Sequence, residues 1–230
     1  MIPIAFGWEH VLFANWRVDA DVIDAHIPDA LAVQECDGSG WLSIVPFRNV
    51  DVRPRGLPAS LGIPVPELNL RTYVTCNGEQ GVYFFNLDAS SLLATVGARL
   101  THHLPYYYSR IRMEGEDGRV RFDNRRLHPG DRPVTFSATY GPTGDPFEAE
   151  PGSLTEFLTE RRRLYTQDTS GRIRYTDISH ERWPLYDAEW TVEANTLFEA
   201  NAFDHPEGDP ILYYSPRTDV VTTRSKRWRS

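Results

Sequence analysis

The chain has a single lysine, Lys226, close to its C-terminal end. A reaction that needs a primary amine as nucleophile, an imine with a carbonyl substrate above all, therefore has one side chain to draw on. Only two cysteines occur, Cys36 and Cys76, too few for a disulfide framework and without the paired spacing of a zinc site. There is no run of about 18 apolar residues, and the opening MIPIAFGWEH has no cationic stretch leading into an apolar one. A cytoplasmic protein without a membrane partner is expected. H-E-x-x-H, G-x-S-x-G, a Walker loop and a G-x-G-x-x-G after a strand are all missing, so nothing points to a metal or a cofactor and neither is expected. Of the seven histidines only His102 and His103 are close in sequence, and adjacent residues of an extended segment face opposite ways.

What is present suits a folded enzyme-sized domain. Apolar residues make up 40% and aromatics 12% of 230 residues, enough to bury one sizeable core against chain entropy. We read residues 1–216 as a single domain and 217–230, with four Arg and Lys226, as a basic tail. The formal net charge is −8, from 32 acidic against 24 basic residues, which argues against nucleic acid as a partner.

Strand signals dominate. GWLSIVPF alternates Trp41, Ser43, Val45 and Phe47 on one face. NLRTYVTC and GVYFFNLDA flank the turn-forming NGEQG and read as a hairpin. LPYYYSRIRM, GRVRFDNRRL and PVTFSATYG form a meander, and GRIRYTDISH, PLYDAEWTVEA and DPILYYS repeat the pattern at spacings suited to a closed sheet. Helices are few. Asp19 can cap VDADVIDAHIPDAL, with Val22, Ile23, Ile27 and Leu31 as its stripe until Pro28 interrupts it, and Ser90 can cap SSLLATVGARL. Ser153 with Glu156 makes a capping box for a helix burying Leu154, Phe157, Leu158 and Leu164. The run Arg161, Arg162 and Arg163 would lie near that helix's negative end, as a solvated cap or as an anion or interface site.

PRGLP at 54–58, ELNLRTYV at 67–74, GVYFFNLDA at 81–89, LPYYYSR at 104–110, LTERRRLY at 158–165 and HERWPLYDAE at 180–189 together resemble the YqjF-like family of uncharacterised proteins. That family is similar to the acetoacetate-decarboxylase-like superfamily. The resemblance implies an α+β, β-rich fold: a closed antiparallel cone-shaped barrel with a few peripheral helices around a small-molecule pocket. Decarboxylases of this type carry G-R-E-x-x-G-F-P-K-K, whose first lysine forms the imine. ARLTHHLPYY occupies the matching stretch. Arg99 meets the arginine and Pro105 the proline, Leu100 replaces the glutamate, His103 the glycine, and Tyr106 and Tyr107 the lysines. Tyrosine cannot form an imine, so acetoacetate decarboxylase activity is not expected.

The residues still offer polar groups. Glu67, Asn69 and Arg71 recur at period two and share one face of a strand, lining an interior or facing solvent. Inside, Arg71 could hold a carboxylate and Glu67 act as base or arginine partner. Tyr106 and Tyr108 share a face, where a buried phenol donates a hydrogen bond or fills space. His103, and His180 in HERWPLY, have the titration range for proton transfer or a structural role. The ligand-pocket candidates are thus Glu67, Asn69, Arg71, Arg99, His103 and Tyr106. One reading is a lysine-independent enzyme, or enzyme relative, binding a small anionic or carbonyl molecule. The other is a non-catalytic binding or scaffold protein that kept the barrel. A homo-oligomer is left open.

Overall fold

The computed structural model describes residues 4–54, 56–91, 105–116, 118–128 and 130–228. Among the described residues one sheet contains thirteen strands: β1 (Ile4–Val18), β2 (Ala32–Val33), β3 (Gly40–Pro54), β4 (Ile63–Cys76), β5 (Glu79–Ala89), β6 (Tyr106–Glu116), β7 (Arg119–Arg126), β8 (Thr135–Phe147), β9 (Arg163–Gln167), β10 (Ile173–His180), β11 (Leu185–Asn195), β12 (Ile211–Thr222) and β13 (Lys226–Arg227). Short helices α1 (Ala20–Asp24), α2 (Leu154–Thr159) and α3 (Leu197–Ala200) accompany it. The chain is β-rich with few helices, as expected.

The β4–β5 hairpin turns on Asn77 and Gly78, both at positive φ (49° and 84°). That is the backbone a two-residue turn between twisted strands demands, and Asn-Gly adopts it at least cost. The expected meander is present as β6–β7–β8, antiparallel throughout.

Strand pairings return on themselves. From β4 they pass through β5, β6, β7, β8, β11, β12, β1 and β3 and back to β4. A second circuit leaves β5 through β9 and β10 and rejoins at β12. The antiparallel expectation fails at two seams, because β5 runs parallel to both β6 and β9. A parallel pair needs a long crossover, and the chain between Ala89 and Tyr106 has the length for one.

Strands β1, β3, β4, β5 and β12 belong to both circuits, so each is covered on both faces. Leu12, Leu42, Leu70 and Tyr214 enter one hydrophobic cluster, together with Phe122 and Phe136 from the far strands. Phe13, Trp41, Val45, Tyr73, Phe84 and Tyr213 enter a second, closed over by Leu158 of α2 and by Trp183. The alternation in GWLSIVPF therefore does not mark a solvent face: Trp41, Leu42, Ser43 and Ile44 are all fully buried.

Three readings need correction. Helix α2 starts at the Ser153 cap, whose hydroxyl accepts from the Glu156 amide at 3.2 Å, but it ends at Thr159. Glu160 leaves helical geometry, and Leu164 lies in β9, paired with Val82 and Thr176. Helix α1 begins at Asp19 as expected yet stops at Asp24, and Val22 is exposed. Residues 217–222, assigned to a tail by their charge, are the second half of β12 and pair with β1 and β10, while Lys226 and Arg227 pair with β10. The helix expected over residues 90–100 lies, from residue 92 on, outside the described residues.

Gly81 lies where β5 meets β9. A Cβ there would stand 2.7 Å from the Tyr165 ring and 2.8 Å from the Arg163 carbonyl oxygen. Gly81→Ala is expected to lower the unfolding free energy by about 1–3 kcal/mol, read from urea denaturation. An unchanged midpoint would show that the seam is loosely packed.

Candidate active site

On β4 the side chains divide strictly by parity. Leu68, Leu70 and Thr72 turn from Glu67, Asn69, Arg71 and Tyr73, which take the face of the second cluster. All four are buried: Glu67 is 5% exposed, Asn69 3% and Arg71 9%. Of the two alternatives for this polar face, the interior one holds.

Glu67 is met by two donors. Tyr106, at the start of β6, donates its hydroxyl proton to Oε2 at 2.9 Å, and Asn49 of β3 donates from Nδ2 to the same oxygen at 3.1 Å. Asn49 is itself held by the Trp8 indole N–H on its Oδ1 and by its own bond to the Val65 carbonyl. Burial pushes the Glu67 carboxyl up from 4.5 to about 7; the Tyr106 and Asn49 hydrogen bonds pull it down, and the charge of Asp88 adds to the rise. The Tyr106 phenol is driven well above its ordinary range by burial, by the Glu67 charge and by its bond to Glu67. Near neutrality this carboxyl exchanges a proton readily while the phenol keeps its own, the condition for general acid–base work.

Farther along the same face, Asn69 Oδ1 and Arg71 Nε have no hydrogen-bond partner among the described residues. Arg71 donates from Nη2 to the Leu158 carbonyl at 3.1 Å, and its guanidinium stands 5.4 Å from the Phe13 ring centre and 5.7 Å from that of Tyr73. Among the described residues no carboxylate forms an ion pair with it. Beside it, the Tyr73 hydroxyl donates to the Leu158 carbonyl at 2.7 Å, and Ser43 donates to Asn15 Oδ1 at 2.5 Å.

The chain matches DUF2071, a family described as an uncharacterized conserved protein, over residues 5–219. It belongs to that family. Uncharacterized protein YqjF of Bacillus subtilis strain 168 is 40% identical over 222 residues, covering 96% of this chain and 90% of that protein. Solved structures share the fold at low identity. Acetoacetate decarboxylase from Legionella pneumophila superposes with a TM-score of 0.68 at 14% identity, over 99% of this chain and 87% of that one. The enduracididine biosynthesis enzyme MppR complexed with pyruvate gives 0.67 at 13%, over 98% and 90%. An acetoacetate decarboxylase-like enzyme from Sphingomonas wittichii RW1 gives 0.65 at 15%, over 100% and 94%.

In this DUF2071 chain the structure thus joins Glu67 to Tyr106 and places Asn69 and Arg71 on the same face. Arg99 and His103 lie outside the described residues. Tyr107 takes the opposite direction from Tyr106 and stacks under Arg126, whose guanidinium carbon is 4.0 Å from its ring centre. His180 is buried, its Nδ1 2.6 Å from the Glu181 carbonyl oxygen, and its Nε2 has no partner among the described residues. Sequence reading missed Asn49, although it continues the period-two face of Trp41, Ser43, Val45 and Phe47. The arginine triplet is not a solvated cap. Arg161 is 6% exposed and does hold the helix end, through the Phe157 carbonyl, whereas Arg162 turns to the His180 carbonyl and Arg163 pairs with Asp177. Among the described residues no group of three or more His, Cys, Asp or Glu is placed to hold a metal ion.

Two outcomes follow from the electrostatics. The folded Glu67 keeps its proton to about pH 7, while an unfolded one gives it up near 4.5. Between those values the native state binds more protons, so Glu67 costs stability as pH rises. Glu67→Gln should therefore gain on the parent from pH 4.5 to 7, by about 3 kcal/mol in all, and stay level above; urea unfolding at pH 4.5 and 8 measures it. Tyr106→Phe removes a donor that favours the charged carboxylate, so the Glu67 midpoint should move further up, as read by carboxyl carbon NMR. A downward move would mean the phenol does not stabilise the anion.

Proposed function

We propose that this DUF2071 protein binds a small carboxylate or carbonyl compound in a pocket on the Glu67 face of β4 and moves a proton there through Glu67 and Tyr106. The pairing circuits support a cone-shaped closed barrel as the enclosure. The observation that carries the reading is the buried Glu67–Tyr106 pair, poised near neutral pH, on one face with the unpartnered Asn69 Oδ1 and Arg71 Nε. A buried polar atom without a partner costs about 1–3 kcal/mol. Two on one strand face, with Ser215 Oγ and His180 Nε2 likewise unpartnered beside the same cluster, support a place where a ligand supplies the missing bonds.

In this reading the ligand's oxygens lie against Arg71 and Asn69. Glu67 takes a proton from, or returns it to, the adjacent carbon or oxygen, and the Tyr106 hydroxyl stabilises whichever form carries negative charge. An imine has no part in it. Lys226, the chain's one lysine, is half-exposed on β13 with its ammonium 3.6 Å from the Asp177 carboxylate. The fold likeness to enzymes named as acetoacetate decarboxylases and to MppR with pyruvate suggests which compounds to try first.

The test is a thermal-shift and calorimetric panel of acetate, pyruvate, acetoacetate and acetone. At about 100 times its dissociation constant a bound member stabilises the fold by about 2.7 kcal/mol, and Arg71→Ala should abolish the effect of the carboxylates. If no compound shifts the parent protein and Arg71→Ala changes nothing, the proposal fails.

A further inference from the structure

Helix α2 ends against two buried guanidiniums that come from different parts of the chain. Arg161 donates from Nε to the Phe157 carbonyl at 2.7 Å, and Arg71 from Nη2 to the neighbouring Leu158 carbonyl at 3.1 Å. Both stand against the Tyr73 ring, their guanidinium carbons 5.2 Å and 5.7 Å from its centre. Arg161 Nη1 is satisfied by neutral acceptors, Gln34 Oε1 and Gln80 Oε1, each at 2.9 Å. Arg161 Nη2 and Arg71 Nε have no hydrogen-bond partner among the described residues.

Neither cation has a carboxylate partner among the described residues, and the acids of the same helix segment are committed elsewhere. Glu156 holds the Gly152 amide and Arg182, and Glu160 holds the Trp183 amide with Arg162 at 3.7 Å. Capping accounts for one bond from each arginine, which a neutral amide could make as well. It does not account for two buried positive charges, whose desolvation costs several kcal/mol each unless an anion meets them. Burial, reinforced by the charge of Arg71 and opposed by Tyr73 and, more weakly, by Cys36 and the charge of Glu156, brings the Arg161 guanidinium down to about 10.

We propose that Arg71 and Arg161 together form an oxoanion site, and that the carboxylate of the bound molecule lies between Arg71 Nε and Arg161 Nη2. Arg161 then decides that the ligand is an acid rather than a neutral carbonyl compound. This rests on the small-carboxylate reading above.

The experiment is isothermal titration of the full chain with pyruvate and with pyruvamide, its uncharged counterpart, on the parent, Arg161→Gln and Arg161→Lys. The parent should bind pyruvate about tenfold or more tighter than pyruvamide, and Arg161→Gln should remove that preference while leaving pyruvamide unchanged. Arg161→Lys keeps the charge without the planar fork and should retain part of it. It carries the test alone if the glutamine variant does not fold, a point settled by melting curves. Pyruvate binding that is unaltered in either variant overturns the role of Arg161 and leaves the ligand reading standing. Failure of the parent to bind pyruvate overturns the oxoanion site, and failure to bind acetate, acetoacetate and acetone as well overturns the ligand reading.

Discussion

Strand β4 is covered on both faces, and the rest of the site depends on that constraint. It is flanked by β3 and β5, and it belongs to both pairing circuits. A strand buried on two sides usually reads as a continuous apolar run. Here alternate positions carry Glu67, Asn69 and Arg71, which lose water without losing their need for partners. The fold answers with specific bonds: Asn49 and Tyr106 for the carboxyl, the Leu158 carbonyl for the guanidinium. Those bonds are incomplete: Asn69 Oδ1 and Arg71 Nε stay without a partner among the described residues.

The buried charges fall into two kinds. Asp88 and Arg126 meet by two short bonds, 2.7 Å and 2.8 Å, with Ser109 and Asn86 donating to the remaining carboxylate positions. That set is satisfied within the chain and acts as structure; breaking it from one side would leave a lone buried charge. Arg71 and Arg161 are the other kind, held in place by carbonyls and ring faces with no carboxylate of the described chain against them. Asp88 also reaches the candidate site, since its charge contributes to the upward shift of Glu67.

Legibility in the sequence followed the range of the interactions. The Asn-Gly hairpin, the Ser153 cap and the β6–β8 meander are set by bonds between near neighbours, and all were readable. Strand β1 was not, because its register breaks around His10, a non-glycine residue at φ 53°, and Val11 to Ala14 are buried on both sides, which erases the alternation. The arginine triplet misled for a related reason. Helix α2 stops early because β9 is drawn into pairing with β5 and β10, partners that local charge and periodicity do not reveal.

The sequence by itself determined that an imine would have a single lysine, Lys226, to draw on. It also determined that Glu67, Asn69 and Arg71 share a face, since strand parity is a local property. Only the tertiary structure decided that this face is interior and that Tyr106, 39 residues away, reaches Glu67. It alone brought Arg161 and Arg71 to the same helix end and the same Tyr73 ring. The physical reason is that desolvation and ion pairing are sums over everything packed around a group. Those neighbours come from β1, β3, β5, β6 and α2, segments that the chain order keeps far apart.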